Sequence, residues 1–392
     1  MKEILVIKNF GPIKSIKLEF GRFNILIGKN ATGKSTVAKI LSICRYFSYI
    51  VQEHQYEQSF MRGLMSWGLL EFVNRETYIS YDCPNYLIQA TCAVVPEEIS
   101  RELDYLPINL YLEPKSEDFK ILLAEASKLR LPSDPTSATD YGSRLIPATF
   151  YQNEVGRVMD NPFYLPAERG LQSIFSIGKG GIQNISDSLF VQLGSLDQIL
   201  KTFNKDTDIG PLDVTYRNER GKGLVRKNDE SSFYSMYNAA TGYQSTIPII
   251  LTLKYYTEIR KKRKTFIIEE PEENLFPDAQ NKLIEFLVDN VANFKHSILL
   301  TTHSPYVLTS INNSLFAYKV GQTNSIKVEN VVDKKYWLDP QEVSAYILKP
   351  NGYCEDIFDT SENLIKADRI DEISGIINER FNTLLNIEYS QK

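Results

Sequence analysis

An α/β fold organised around a mainly parallel sheet follows from three features of the sequence. FNILIG (23–28) is apolar on both faces, as a buried strand is, and it runs into a glycine-rich turn and then a helix-periodic segment. TFIIEE and SILLTT are two further apolar runs, separated by the helical stretch DAQNKLIEFLVDNV. A strand–helix–strand unit of this length joins parallel neighbours. The chain also opens on a hairpin pattern: alternation at Ile4 and Val6, a Gly11-Pro12 turn, then alternation at Ile16, Leu18 and Phe20.

Taken in order, EILVIKNFGPIKSIKLEFGRFNILIG reads as three strands, and Val37, Ile40, Leu41 and Cys44 recur at helical spacing after Ser35. Residues 46–159 form an inserted segment, helical at first, then with strand-like pieces TYISYDC and LIQATCAVV. Within it, LPSDPTSATDYGS (131–143) is a linker by composition. NPFYLPAERG (161–170) returns to an apolar strand that ends in a turn, and 173–235 is a second insertion, partly helical, with the glycine-rich SIGKGGIQN. From 236 the pattern is orderly: turn, helix, strand, helix, strand. The tail, 331–392, reads as helical, with DRIDEISGIINERFNTLL its clearest amphipathic stretch.

Composition bounds the function. At 392 residues, 43% hydrophobic and 24% charged, the chain is long enough for two or three structural units around a sizeable core. A net charge of −5 gives no global attraction to nucleic acid or membrane. Cys44, Cys83, Cys92 and Cys354 have no CxxC spacing, which suits reduced thiols in a cytoplasmic protein. MKEILVIKNF is too polar for a signal peptide, and no run approaches the roughly 18 apolar residues of a membrane span. Three histidines (His54, His296, His303) argue against a histidine-rich metal nuclease.

The chemistry lies in three stretches. Gly28-x4-Gly33-Lys34-Ser35, between a buried strand and a helix, has the phosphate-binding-loop pattern. Glycines let backbone N–H groups turn inward around phosphates, and the helix N-terminus adds its positive end. Lys34 reaches the β- and γ-phosphates and Ser35 offers its hydroxyl to Mg²⁺. Asn30, Ala31, Thr32 and Thr36 complete the loop, Asn30 as a turn residue able to bond phosphate or metal water. Hydrolysis also needs a carboxylate for the metal and a base for water. TFIIEEPEENLFPDAQ (265–280) puts Glu269 and Glu270 at the tip of a buried strand, where open α/β sheets collect ligands. Glu269 is assigned to Mg²⁺ through water and Glu270 to general base catalysis. In ILLTTHSPYVL, His303 follows the next strand, in reach of the γ-phosphate or the attacking water.

In this order and spacing, these motifs resemble the ATP-binding-cassette (ABC) ATPases, specifically the OLD/RecF/SMC-type group. LVIKNFGPIKSIKLEFGRFNILIGKNATGKST is similar to that group's start, IIEEPEENLFPDAQ to its Walker B and D-loop, and TTHSPYVL to its histidine switch. LDPQEVSAYIL and IKADRIDEISGIINERF resemble the ends of single-domain OLD-type ATPases. The resemblance implies an ABC-type P-loop ATPase core at 1–45, 160–172 and 236–330: an N-terminal β-hairpin plus a mainly parallel sheet flanked by helices. Two largely helical insertions, 46–159 and 173–235, and a helical C-terminal extension, 331–392, complete the expected architecture. It implies ATP and Mg²⁺ as ligands, and a signature segment that NAATGYQSTIPIIL (238–251) fits. There Thr241, Gly242 and Gln244 would face the γ-phosphate held by a second subunit, so that two chains sandwich two ATP molecules head to tail. Thr241 as an ordinary helix cap is the plain alternative.

The family's Q-loop glutamine is absent from YLPAERGLQ, leaving Glu168, Gln172 or Gln152 as replacement. Arg169 contacts either phosphate or a buried partner. Asp278 is a cap for the following helix, and IRKKRK (259–264), with five positive charges, is either a solvated helix end or a nucleic-acid contact. No sustained heptads suggest a long coiled coil. Too few residues follow the cassette for a Toprim nuclease domain, so the resemblance implies a partner effector in trans, a nuclease or toxin of bacterial anti-phage defence. DNA remains a possible partner and a membrane is not expected.

Overall fold

The computed structural model describes residues 3–46, 56–94, 105–127, 161–171, 186–366 and 379. The first three strands lie where the alternation places them: β1 (Glu3–Phe10), β2 (Ile13–Phe20) and β3 (Phe23–Gly28), followed by α1 (Lys34–Arg45). Then come α2 (Tyr56–Ser66), β4 (Tyr78–Asp82), β5 (Tyr86–Cys92), β6 (Ile108–Pro114), α3 (Glu117–Ser127) and β7 (Phe163–Leu165). The second half begins with α4 (Asp187–Thr202), β8 (Thr207–Ile209), β9 (Val214–Glu219), β10 (Lys222–Lys227) and β11 (Tyr234–Ser235). It continues with α5 (Thr241–Lys254), β12 (Thr265–Glu269), α6 (Pro277–Ala292), β13 (Ser297–Thr302) and α7 (Pro305–Glu329). It ends with β14 (Val343–Leu348), β15 (Cys354–Asp356), β16 (Phe358–Asp359) and β17 (Leu364–Ile365).

The central sheet has the order β15-β14-β3-β13-β12-β7. β14, β3, β13, β12 and β7 are parallel and only β15 runs against them. Its central strands divide their side chains between two cores, as period 2 requires. Leu26, Ile267 and Leu299 join the core shared with α1 and the hairpin, while Ile25, Ile27, Ile268 and Leu300 join the core covered by α5, α6 and α7. Because the strands are parallel and in register, the ends of β3, β13 and β12 arrive at one edge: Ile27 pairs with Thr302, and Glu269 with Thr301.

β4 and β5 fall on the strand-like TYISYDC and LIQATCAVV, whereas β6 and the strands of the second insertion depart from the largely helical expectation. β4, β5 and β6 extend the N-terminal hairpin into a five-stranded antiparallel sheet, β2-β1-β4-β5-β6. The hairpin's free edge at β1 offers unpaired backbone groups, and β4 satisfies them through Ile4–Asp82 to Lys8–Tyr78 pairing. In the second insertion, α4 is joined by a four-stranded sheet, β11-β10-β9-β8. The tail departs from the helical expectation: after two short 3-10 turns, Lys334–Tyr336 and Pro340–Glu342, it forms strands from Val343 to Ile365, with β14 entering the central sheet beside β3. The helix expected at 368–385, the linker at 131–143 and the glycine-rich 176–184 lie outside the described residues.

A buried ionic cluster ties the C-terminal end of α1 to this antiparallel sheet. Arg45 donates to Glu3 and to the Tyr81 hydroxyl, and Tyr81 Oη donates to Glu3 Oε2 at 2.7 Å. Burial alone would raise the Glu3 carboxyl; the Arg45 charge and these hydrogen bonds outweigh it and hold it below its usual value. Glu3→Gln is therefore expected to cost about 1–3 kcal/mol near neutral pH, because Arg45 stays buried without its counter-charge. The sign follows from the depressed value: the Glu3 contribution is complete above the ordinary carboxylate range and is lost as pH falls through the lowered one. Denaturation midpoints of the two proteins should draw together as pH falls below the ordinary carboxylate range. A difference that persists unchanged into acid would refute this account.

Candidate functional site

The turn between β3 and α1 is packed so tightly against the protein's own backbone that glycine is required in it. Gly33 caps α1 in the left-handed region at φ 98°, and Ala31 sits there too at φ 62°. A Cβ on Gly28 would stand 2.5 Å from Leu348 O and 2.8 Å from Thr32 Oγ1, so only glycine fits beside β14. Thr32 Oγ1 closes the turn on Lys29 O at 2.9 Å. Lys34, 6% exposed, folds back over its own loop and donates to Gly28 O at 2.9 Å and Lys29 O at 3.1 Å. Burial pushes its ammonium below the usual value, while the nearby carboxylates of Glu270, Glu272 and Glu269 pull it back up. The loop lysine thus feels the acids at the end of β12, one strand beyond the neighbouring β13. Ser35 is exposed at the mouth and Thr36 is buried; Lys29, Asn30 and Ala31 are exposed along the rim.

The acids occupy distinct environments. Glu269, at the last position of β12, is 3% exposed; its Oε2 accepts from Ala167 N at 3.2 Å and its Oε1 has no partner among the described residues. Glu270 leaves the strand with φ 42°, a left-handed conformation costing a non-glycine residue about 1–3 kcal/mol, while its N–H stays bonded to Thr301 O at 2.8 Å. Its carboxylate lies 3.5 Å from His303 Nδ1, which is half exposed. The three groups that sequence assigned to metal, base and switch therefore share one sheet edge.

Two more side chains organise this edge: Glu272, which has no role in the motif pattern, and Arg169, expected on phosphate or on a buried partner. Glu272, 5% exposed, accepts from Thr302 Oγ1 at 2.6 Å and His303 N at 3.2 Å, and its other oxygen has no described partner. It fixes the peptide that carries His303. Arg169 contacts backbone rather than phosphate. Fully buried, it donates to Ser245 O (2.7 Å), Pro166 O (3.0 Å), Glu269 O (2.6 Å) and Glu270 O (2.7 Å). Burial drives its ionisation downward, and Glu273, Glu272, Glu269 and Glu270 oppose this. Glu168 is exposed in the same turn; Gln152 and Gln172 lie outside the described residues.

The signature segment forms the start of α5. Ala240, not Thr241, is the N-cap, and no side chain caps the helix. Thr241 is exposed. Gly242 packs on the loop after β12, where a Cβ would meet Asn274 O at 2.6 Å. The Gln244 amide turns back onto Ala239 O at 2.8 Å and Tyr237 O at 3.1 Å. Asp278 is likewise not a cap: Phe276 holds that position for α6, and Asp278 supports the helix dipole from its first turn.

The profile described as AAA ATPase domain matches residues 1–58 and 169–308, just over half of the chain. The chain belongs to that family. As a member of the AAA ATPase domain family it binds ATP and hydrolyses it. The match takes in the phosphate loop, β12 with its acids and the His303 turn. No curated protein sequence matches with significance. Among solved structures, the chain is similar to the SMC head domain from Thermotoga maritima, at 12% identity and TM-score 0.39, covering 79% of this chain and 91% of that one. It is also similar to the Smc head domain with an extended coiled coil bound to the C-terminal domain of ScpA from Pyrococcus furiosus, at 9% identity and TM-score 0.41, covering 96% and 99%. With scores below 0.5, neither likeness bears on function. Among the described residues no helix is long and apolar enough to cross a membrane.

Proposed function

We propose that this AAA ATPase cleaves ATP at the shared edge of β3, β12 and β13, and that it does so when two copies close over the nucleotides. The observation that carries the catalytic reading is the Glu270–His303 pair, 3.5 Å apart, on the edge where the charges of Glu270, Glu272 and Glu269 act on the Lys34 ammonium. Lys34 exchanges its bonds to Gly28 O and Lys29 O for phosphate oxygens, and the loop amides of Asn30 to Thr36 receive the rest. Glu270 accepts a proton from the attacking water as the water oxygen bonds to the γ-phosphorus and ADP departs. His303, held through its N–H by Glu272, orients that exchange.

The donor set fits Mg²⁺. Glu269 Oε1 is buried with no hydrogen bond of normal geometry among the described residues, the Tyr164 hydroxyl being its neighbour, and the Ser35 hydroxyl stands open at the helix start. When bound there, Mg²⁺ supplies charge neutralisation on the phosphates.

Dimer formation is supported by α5. Its N-terminus carries no side-chain cap and begins with exposed Thr241, while the N–H groups of Tyr243 and Gln244 bond Ala240 O within the chain. Thr241, Gly242 and Gln244 would meet the partner's γ-phosphate. The test is mass in solution: with ATP and Mg²⁺ and hydrolysis blocked, a dimer is expected, and with ADP a monomer. A monomer under both conditions would end the sandwich reading.

An effector held in trans, a nuclease or toxin of anti-phage defence, and a place in the OLD-type subgroup are supported by the motif resemblance; co-purification with and without ATP tests the partner. Maintenance of DNA is the second reading, and what favours it is the exposed basic run Arg260–Arg263. ATPase stimulation by duplex DNA that fades with added salt would select it.

A further inference from the structure

We infer that Arg169 couples the two halves of this active site, tying the signature turn of α5 to the same chain's catalytic acids. The inference rests on the dimer reading above. One guanidinium bonds the carbonyls of Ser245 in α5, of Glu269 and Glu270 in the acid strand, and of Pro166 after β7. Two further contacts run in parallel with it. Ser245 Oγ donates to Glu273 O at 3.0 Å, and Gly242 lies so close to Asn274 O that a Cβ would stand 2.6 Å away. The first turn of α5 and the loop 269–274 are therefore one hydrogen-bonded unit.

The consequence concerns two sites at once. In a sandwich, α5 of one chain touches the nucleotide held by the other. Any shift of α5 on engaging that phosphate is carried by Arg169 to Glu270 of its own chain, which already sits at φ 42° and has little freedom to absorb it. Binding at one site then sets the geometry of the base at the other. Arg169 is a positioning residue: it touches the carbonyls that aim the acids, and no reacting atom. Only arginine has donors spread widely enough to hold carbonyls from three elements; lysine keeps the charge and loses the spread.

The test compares wild type, Arg169→Lys and Arg169→Gln, using ATP with Mg²⁺ and a fluorescent ADP analogue. Mass is measured first. If wild type forms no ATP-dependent dimer, the dimer reading falls and this inference falls with it; the variants do not enter that result. Given a dimer, wild type should show a Hill coefficient above about 1.5 in its ATP dependence, with two as the ceiling for two sites. Arg169→Lys should bind the ADP analogue within about threefold of wild type, since the phosphate loop is untouched, yet lose about 10²-fold in kcat and show a Hill coefficient near 1. Arg169→Gln should behave alike with a larger loss. A wild-type dimer with a Hill coefficient near 1 overturns the coupling. So does a lysine variant that keeps wild-type kcat and cooperativity, or one whose loss is matched by equal loss of ADP-analogue binding, which is what a merely structural residue would give.

Discussion

Glu270→Gln is expected to lower kcat by about 10³-fold, within the range a positioned base contributes, while ATP affinity stays within about threefold. The substitution keeps the volume of the side chain and its strained backbone at φ 42°, so the loop need not rearrange. It removes the carboxylate nearer to His303 Nδ1, at 3.5 Å against 4.0 Å for Glu272 Oε1, and the one not tied up elsewhere: Glu272 is held by Thr302 Oγ1 and His303 N, and Glu269 by Ala167 N. Binding should survive because nothing in the Gly28–Ser35 turn contacts Glu270 through a hydrogen bond described here. In a single-turnover experiment the variant should hold intact ATP long after wild type has released phosphate, and on the sandwich reading it should accumulate as a dimer. Turnover at the wild-type rate would remove Glu270 from the mechanism and leave Glu272 as the acid to test.

What could be read from the sequence divides by distance along the chain. β1 to β3 and α1 are legible because their periods are carried by neighbouring residues, and β12 and β13 because a continuous apolar run of strand length ends in turn residues. β14 was not. VSAYIL is six residues without clean alternation, and what makes it a strand is its pairing with β3, some 320 positions earlier. The β9–β10 hairpin carried a weak signal: Arg220 and Gly221 both have positive φ (52° and 82°), as a tight two-residue turn demands, but arginine is an unusual first residue there. The site divides the same way. Lys34, Ser35, Glu269, Glu270 and His303 are set by local strand-to-turn transitions. Glu272 looks like any other glutamate in EEPEEN, and Arg169 like a turn residue. Their roles come from Thr302, 30 residues away, and from Glu269, 100 residues away.

Lys34→Ala is expected to abolish ATPase activity by a different route, through binding. Lys34 is the cation that Glu269, Glu270 and Glu272 face together, and in this structure it is already positioned by Gly28 O and Lys29 O. Without it, a triphosphate bearing several negative charges must approach three carboxylates whose remaining protein counter-charge is the buried Arg169. Two charge-assisted hydrogen bonds of about 1.5–3 kcal/mol each are also lost, a weakening of about 10²–10⁴-fold before repulsion is counted. ADP should lose less, because part of the contact is with the γ-phosphate. The fold should persist: the side chain bonds only its own loop, and α1 is anchored by Val37, Ile40 and Leu41 in the core rather than by Lys34. Calorimetric titration with ATP, ADP and AMP separates these effects. The expected order of loss is ATP greatest, ADP next and AMP least; equal losses for all three would mean that the substitution had disturbed the loop rather than removed a phosphate ligand.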